Sequence, residues 1–229
     1  MKTILITGAS DGIGKNIAIK LSEQKHSLIL FGRDDAKLQA VKTTCETNGS
    51  NVQTYAFDLA DNSKRQDVVM EIMAGQQVDI LINNAGIWHK VGDITTLSED
   101  RITEVINTNL TSQILLTRQL LEQMRSRKGT AIVNVVSKSG VVAQAGQTAY
   151  TASKYGMKGF TDVLREDTKE EPIRIAGVYQ AGTHTDMFAK AGDDFEVEKF
   201  TNPEDLADVV VFMLTRPEKI WLNEVHVTY

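Results

Sequence analysis

The sequence is poor in cysteine, in proline, in cations clustered together and in long apolar runs, and each scarcity removes a class of protein. A lone Cys45 rules out an intrachain disulfide, so the fold must hold without staples, as suits a reducing cytosol. Pro172, Pro203 and Pro217 are the only prolines. No Ser/Gly-rich linker divides the chain, so one domain spanning 1–229 is expected. No segment approaches the ~18 consecutive apolar residues of a membrane span. The opening MKTILITGAS turns glycine-rich before any apolar stretch of signal-peptide length. A soluble, cytoplasmic protein with no membrane partner is therefore expected. Lys and Arg number 25 against 30 Asp and Glu, a net charge of −5. Without a basic stripe, a nucleic-acid partner is not expected, because binding a polyanion depends on clustered cations. His26, His89, His184 and His226 lack metal-ligand spacing, and no metal is expected.

What the chain does contain is an alternation. Short β-branched runs at 3–7, 27–31, 51–57, 79–82, 130–136, 173–179 and 224–228 suit strands, and helical periodicity fits roughly 13–24, 34–47, 62–74, 98–127, 148–169 and 203–215. Apolar strands separated by helices imply a parallel sheet buried on both faces, because each crossover lays a helix over it. The fold class is therefore α/β, a doubly wound parallel sheet of about seven strands flanked by helices. Residues 183–201 escape the rhythm, and an irregular stretch of that length in a compact domain is often functional; they are the expected substrate loop. Their alternative is a solvated surface excursion, which is how the acids of 193–198 are read.

The first strand runs through GASDGIG into a helix. Gly8, Gly12 and Gly14, with Ser10, Asp11 and Ile13 between them, thus occupy a strand-to-helix turn. There a pyrophosphate can approach backbone N–H groups at a helix N-terminus. The second strand ends in LILFGRDD. An acid near this point accepts hydrogen bonds from the adenosine ribose hydroxyls, whereas an arginine accommodates a 2′-phosphate. Gly32 takes the place of such an acid and Arg33 follows it, which favours NADP(H) over NAD(H). Asp34 and Asp35 offer the competing reading, as partners for Arg33 or for the ribose. Further on, Tyr150 and Lys154 stand four residues apart on an expected helix, one turn apart on one face. A neighbouring ammonium favours a phenolate, so the spacing predicts a tyrosine pKa drawn down toward the range useful for acid–base work.

The TGxxxGxG spacing resembles that of the compact short-chain dehydrogenases/reductases, whose fold is a Rossmann-type doubly wound domain, and the resemblance runs to the closing WLNEVHVTY. It implies adenine contacts at Asp58–Leu59. It matches Asn83–Asn84–Ala85–Gly86 to the family's NNAG, where small residues let the backbone lie against the cofactor and Asn amides tie strands together. It also implies a catalytic set. Tyr150 would be the general acid/base, and Lys154 would bind the nicotinamide ribose. Ser137, thirteen residues before Tyr150, would hold the substrate oxygen. Asn109, twenty-eight before Ser137, would support a relay water. Ser139 and Asn107 are the neighbours that spacing disfavours. Thr183 and Thr185 match the positions that hold the carboxamide. Where the family usually carries Pro-Gly, this chain has Gln180–Ala181, a looser backbone and a polar side chain.

The implied activity is an NADP(H)-dependent oxidoreductase acting on a carbonyl or alcohol carbon of a small or medium-sized substrate. A dinucleotide-sensing binding protein without turnover is the rival; it predicts loss of the serine, tyrosine or lysine, and all three are present. Relatives usually form dimers or tetramers through the two long helices, so a homo-oligomer is implied; Ile114, Leu115 and Leu121 fit either a partner or the sheet. Trp88 suits a pocket wall or ordinary packing. Met187 and Phe188 suit an apolar lid or loop anchors. Cys45 is placed on a surface helix.

Overall fold

The computed structural model describes residues 1–217 and 219–228. Seven strands form one parallel sheet: β1 (Thr3–Thr7), β2 (Ser27–Gly32), β3 (Val52–Ala56), β4 (Ile80–Asn83), β5 (Ala131–Val135), β6 (Arg174–Gln180) and β7 (Glu224–Val227). Their spatial order is β3-β2-β1-β4-β5-β6-β7. The strands are apolar on both sides because both sides are covered. Ile4, Ile6, Leu28 and Leu30 point into one core. Their alternates Leu5 and Ile29 join Leu81 and Ile132 in the core on the opposite face.

The crossovers are α1 (Gly12–Ser22), α2 (Asp35–Thr47), α3 (Asn62–Gly75), α4 (Glu99–Ile106), α5 (Ser112–Arg125), α6 (Thr148–Asp167), the short α7 (Met187–Lys190) and α8 (Pro203–Leu214). The helix expected over 98–127 is two helices joined by a π turn at Asn107–Thr111. An apolar periodicity that continues across so short an insertion hides it. Cys45, expected at a surface, lies with Leu38 and Val41 on the inner face of α2 and is fully buried. Residues 183–201 carry α7, a 3₁₀ turn at Val197–Lys199 and a bridge between Thr183 and Thr201. Among the described residues no helix is long and apolar enough to cross a membrane.

Between β1 and β4 the chain's direction of winding reverses, which opens a crevice at the strands' carboxyl ends, the usual place for a ligand in such sheets. Just below it, a buried polar chain joins β4, β5 and α6. Asn83 Nδ2 donates to Asn134 Oδ1 at 2.8 Å and to Thr117 Oγ1 at 2.9 Å, and Asn134 Nδ2 donates to Thr161 Oγ1 at 2.8 Å. Asn134→Ala would take a donor from Thr161, which keeps its bond to the Met157 carbonyl, and an acceptor from Asn83, which keeps Thr117; losing buried hydrogen bonds of this kind costs about 1–3 kcal/mol. A fall of that size in unfolding free energy, read from urea denaturation, is the expected result.

Candidate active site

The crevice is a single cleft of about 860 Å³ that runs from the end of β2 across the glycine turn to Tyr150. Its floor is backbone because side chains do not fit. Gly8 has φ +66°, and a Cβ there would lie 2.8 Å from Ala85 Cα; a Cβ on Gly14 would lie 2.3 Å from the Gly8 carbonyl oxygen. Gly12 has φ +51° and faces Thr185 across the cleft, its would-be Cβ 3.1 Å from Thr185 Cγ2. Asp11 caps α1 by accepting from the Gly12 N–H at 2.9 Å. Burial raises its pKa, but hydrogen bonds from Lys37 (2.8 Å), Lys190 (3.0 Å) and the Gly12 amide outweigh that and hold the carboxyl far below the usual range.

At the β2 end, a side chain on Gly32 would press on Ser10 (Oγ 3.0 Å) and on Leu38 (Cδ2 3.2 Å), and with glycine there no ribose-binding carboxylate stands at this position. Arg33 lines the cleft and makes no hydrogen bond or ion pair among the described residues. The two aspartates that competed for it are engaged elsewhere. Asp34 caps α2 by accepting from Lys37 N at 3.0 Å, and Asp35 accepts from Gln39 at 3.2 Å. Asp58 and Leu59 form the adjoining wall. They are braced by the buried Arg65, whose guanidinium donates to the Leu59 carbonyl at 3.0 Å. That support was not foreseen from the sequence, since an arginine inside a charged helix carries no signal of burial.

Of the NNAG segment, Asn84, Ala85 and Gly86 line the cleft. Asn83, which the NNAG resemblance would make a cofactor contact, is turned away into the Asn134–Thr117 network, as strand alternation requires. Asn84 is the one at the cleft: its Nδ2 donates to the carbonyls of Thr7 (2.9 Å) and Gly8 (3.2 Å). Thr7 Oγ1 accepts from the backbone N–H of both Asn84 and Ala85, each at 2.9 Å. Thr183 and Thr185 line the opposite wall, whereas His184 is exposed.

At the other end the expected quartet comes together. Ser137 follows β5, and its hydroxyl lies by the Tyr150 phenol and favours its ionised form. Ser139 is occupied with Gln147 instead, at 2.9 Å. Lys154 Nζ sits 5.7 Å from the Tyr150 ring centroid and donates to the Val135 carbonyl at 3.2 Å. Asn109, buried in the π turn, pairs with the backbone of Ile87: Oδ1 accepts from its N–H at 2.7 Å and Nδ2 donates to its carbonyl at 2.9 Å. Asn107 is exposed. The expected lowering of the tyrosine pKa is not what the chain alone produces. Burial pushes Tyr150 up to about 12, with the Ser137 hydroxyl opposing, and burial brings Lys154 down to about 8. Desolvation penalises both charged forms more than their proximity favours them.

A capping segment completes the cleft. Trp88, buried beside Tyr150, meets Phe188 of α7, and Asp193, read above as solvated surface, accepts from the indole Nε1–H at 2.6 Å.

A glycine-floored crevice ending at a buried serine, tyrosine and lysine is the architecture of a dinucleotide-linked oxidoreductase. The short chain dehydrogenase family model matches residues 2–196. The NADP-dependent 3-hydroxy acid dehydrogenase of Schizosaccharomyces pombe is 30% identical over 96% of this chain and 89% of its own. A short-chain dehydrogenase from Sphingobium yanoikuyae, solved with NADPH, superposes with a TM-score of 0.88 at 27% identity, covering 99% of this chain and 87% of that one. A metagenomic short-chain oxidoreductase solved with NADP superposes at 0.86, with 28% identity, covering 100% and 97%. The chain belongs to the short-chain dehydrogenase/reductase family and is an oxidoreductase.

The buried lysine carries a signature of its own. Its folded pKa of about 8 lies below the unfolded value near ~10.4. Between those two pH values the unfolded chain binds more protons, so this group's contribution to stability grows as pH rises. Thermal melts at pH 7 and pH 9.5 should show a relative gain for the wild type that Lys154→Met lacks.

Proposed function

We propose that this chain is an NADP(H)-dependent carbonyl reductase/alcohol dehydrogenase for a small or medium-sized substrate, with NAD(H) the lesser cofactor. The observation that carries the reading is the burial of Ser137, Tyr150 and Lys154 together at one end of a cleft whose other end is a side-chain-free glycine turn. The residues present fit a dinucleotide. Backbone around Gly8, Ser10, Gly12 and Ile13 would take the pyrophosphate, Asp58 and Leu59 the adenine, and Ala85 and Gly86 the ribose side. Thr183 and Thr185 would hold the carboxamide. Arg33, uncommitted in a cleft with no acid at position 32, would pair with a 2′-phosphate. When bound, the nicotinamide supplies or accepts the hydride.

The chain's own work is with the proton. Ser137 hydrogen-bonds the carbonyl oxygen and Tyr150 delivers a proton to it; a phenol held near 12 is fully protonated at neutral pH, the form that reduction needs. In the reverse direction Tyr150 takes the alcohol proton, aided by nearby positive charge. Lys154 would bind the nicotinamide ribose, and Asn109 supports the water that reconnects the pair to solvent. Residues 183–201 act as the substrate loop of a single catalytic domain. The protein is cytoplasmic and works as a homo-oligomer, a tetramer by resemblance, paired through α4–α5 and α6.

Two variants test this against a panel of carbonyl compounds. Tyr150→Phe should cut turnover by about 10²–10⁴ while NADPH still binds; activity near wild type sinks the tyrosine's role, and NADPH binding without turnover of any compound by the wild type favours the sensing protein. Arg33→Ala should lower kcat/KM for NADPH by about ten- to a hundredfold, as loss of a charge-assisted hydrogen bond implies, and leave NADH little changed. An unaltered NADPH-to-NADH ratio would remove the assignment of Arg33.

A further inference from the structure

Trp88 is the one aromatic side chain, among the described residues, whose ring meets that of Tyr150, with centroids 4.4 Å apart and planes at 63°. Its other edges face the capping segment, with Phe188 at 5.1 Å and Phe195 at 6.5 Å. Phe200 extends the cluster, 5.6 Å from Phe188. All four rings line the same cleft as Ser137 and Tyr150. Trp88 is held through both its indole N–H and its backbone carbonyl. Asp193 accepts its Nε1–H at 2.6 Å and also the Val91 N–H at 3.1 Å, and Arg101 donates to the Trp88 carbonyl. Asp193 thus accepts from two N–H groups, and Arg101 pairs with Glu104. Beside the reacting end the lining is therefore an immobilised aromatic cluster, with the Arg101–Glu104 pair at its margin. Such a surface rewards a flat apolar ring, through offset or edge-to-face contact, more than a short alkyl group, which leaves it unfilled.

We infer that Trp88 is the specificity-determining wall of the carbonyl pocket, selecting substrates whose reacting carbonyl bears an aryl ring, and that Asp193 is the positioning residue that holds it. The inference rests on the assignment of Tyr150 as the proton donor and adds the substrate class. Asp193 is 105 residues from Trp88 in sequence, so its hydrogen bonds to the indole and to the Val91 N–H also tie the capping segment to the pocket wall.

Trp221→Phe leaves Trp88 as the sole tryptophan, which makes its emission a direct reporter. In that background, with saturating NADP⁺, acetophenone should change Trp88 emission saturably and bind at least tenfold more tightly than 2-butanone; free N-acetyltryptophanamide controls for collisional quenching. Asp193→Ala should shift the emission of the ligand-free protein, weaken acetophenone at least tenfold and raise KM for aryl ketones at least tenfold more than KM for 2-butanone. Asp193→Glu should restore part of the loss. Equal affinity for the two ketones, or an Asp193→Ala protein that binds acetophenone as the parent does, overturns the inference. Selective acetophenone binding without its reduction by NADPH would refute the carbonyl-reductase reading and leave the aromatic wall standing. Equal kcat/KM for both ketones would do the reverse. The same titration without dinucleotide decides the wall's selectivity if the cofactor assignment fails.

Discussion

Everything that makes this cleft depends on how β1 and β4 part. Where two parallel strands separate, their last amide and carbonyl groups lose sheet partners, and a buried group left so is costly. Thr7 and Asn84 take up those bonds between them: the threonine hydroxyl receives the N–H of Asn84 and Ala85, and the asparagine amide answers the carbonyls of Thr7 and Gly8. Gln113 of α5 secures the same place from the helix side by donating to the Ala85 carbonyl at 2.8 Å. The knot leaves no space around it. A Cβ on Gly14 would come within 2.5 Å of Asn84 Nδ2. The glycine turn and the NNAG segment, which stand far apart in sequence, are two halves of one device.

The sheet was legible because strands covered on both faces are apolar throughout, and short apolar runs between periodic helices leave few alternative topologies. The glycine turn was legible for a related reason, since backbone conformation and close approach restrict residue type locally. Long-range pairing was not. Nothing in the string AKAGDDFEVEKF marks Asp193 as the acid that finds an indole 105 residues away, and acids in such a loop are ordinarily hydrated. In the Asn83–Asn84 pair both amides suit the site by type; only the register, with Asn83 opposite Asn134, shows which one turns inward. For Cys45 the signal was present and underweighted: Leu38, Val41 and Cys45 follow the three-and-four spacing of a buried stripe.

The Tyr150–Lys154 pair shows where arguments from spacing end. Four residues apart on a helix places the groups correctly, and the sign of their pKa shifts is then decided by water. With both nearly enclosed, each neutral form gains, so the tyrosine rises to about 12 while the lysine falls to about 8. The protein thus presents a proton-holding phenol beside a readily discharged amine, and a phenolate needs a further positive charge brought into the cleft. The electrostatics of proton transfer are then completed by what binds rather than by the fold alone.

Asp11 links three elements: it caps α1 and pairs with Lys37 of α2 and Lys190 of α7. Both lysine pairs are about half exposed, and pairs of that kind contribute only about 0–1 kcal/mol each and weaken with salt. As a fastening for the capping segment they are therefore a loose clasp, easily undone and remade by thermal motion. The dwell time of anything held beneath the segment will be governed instead by the apolar contacts of Phe188 and its neighbours, which do not weaken in the same way as ionic strength rises.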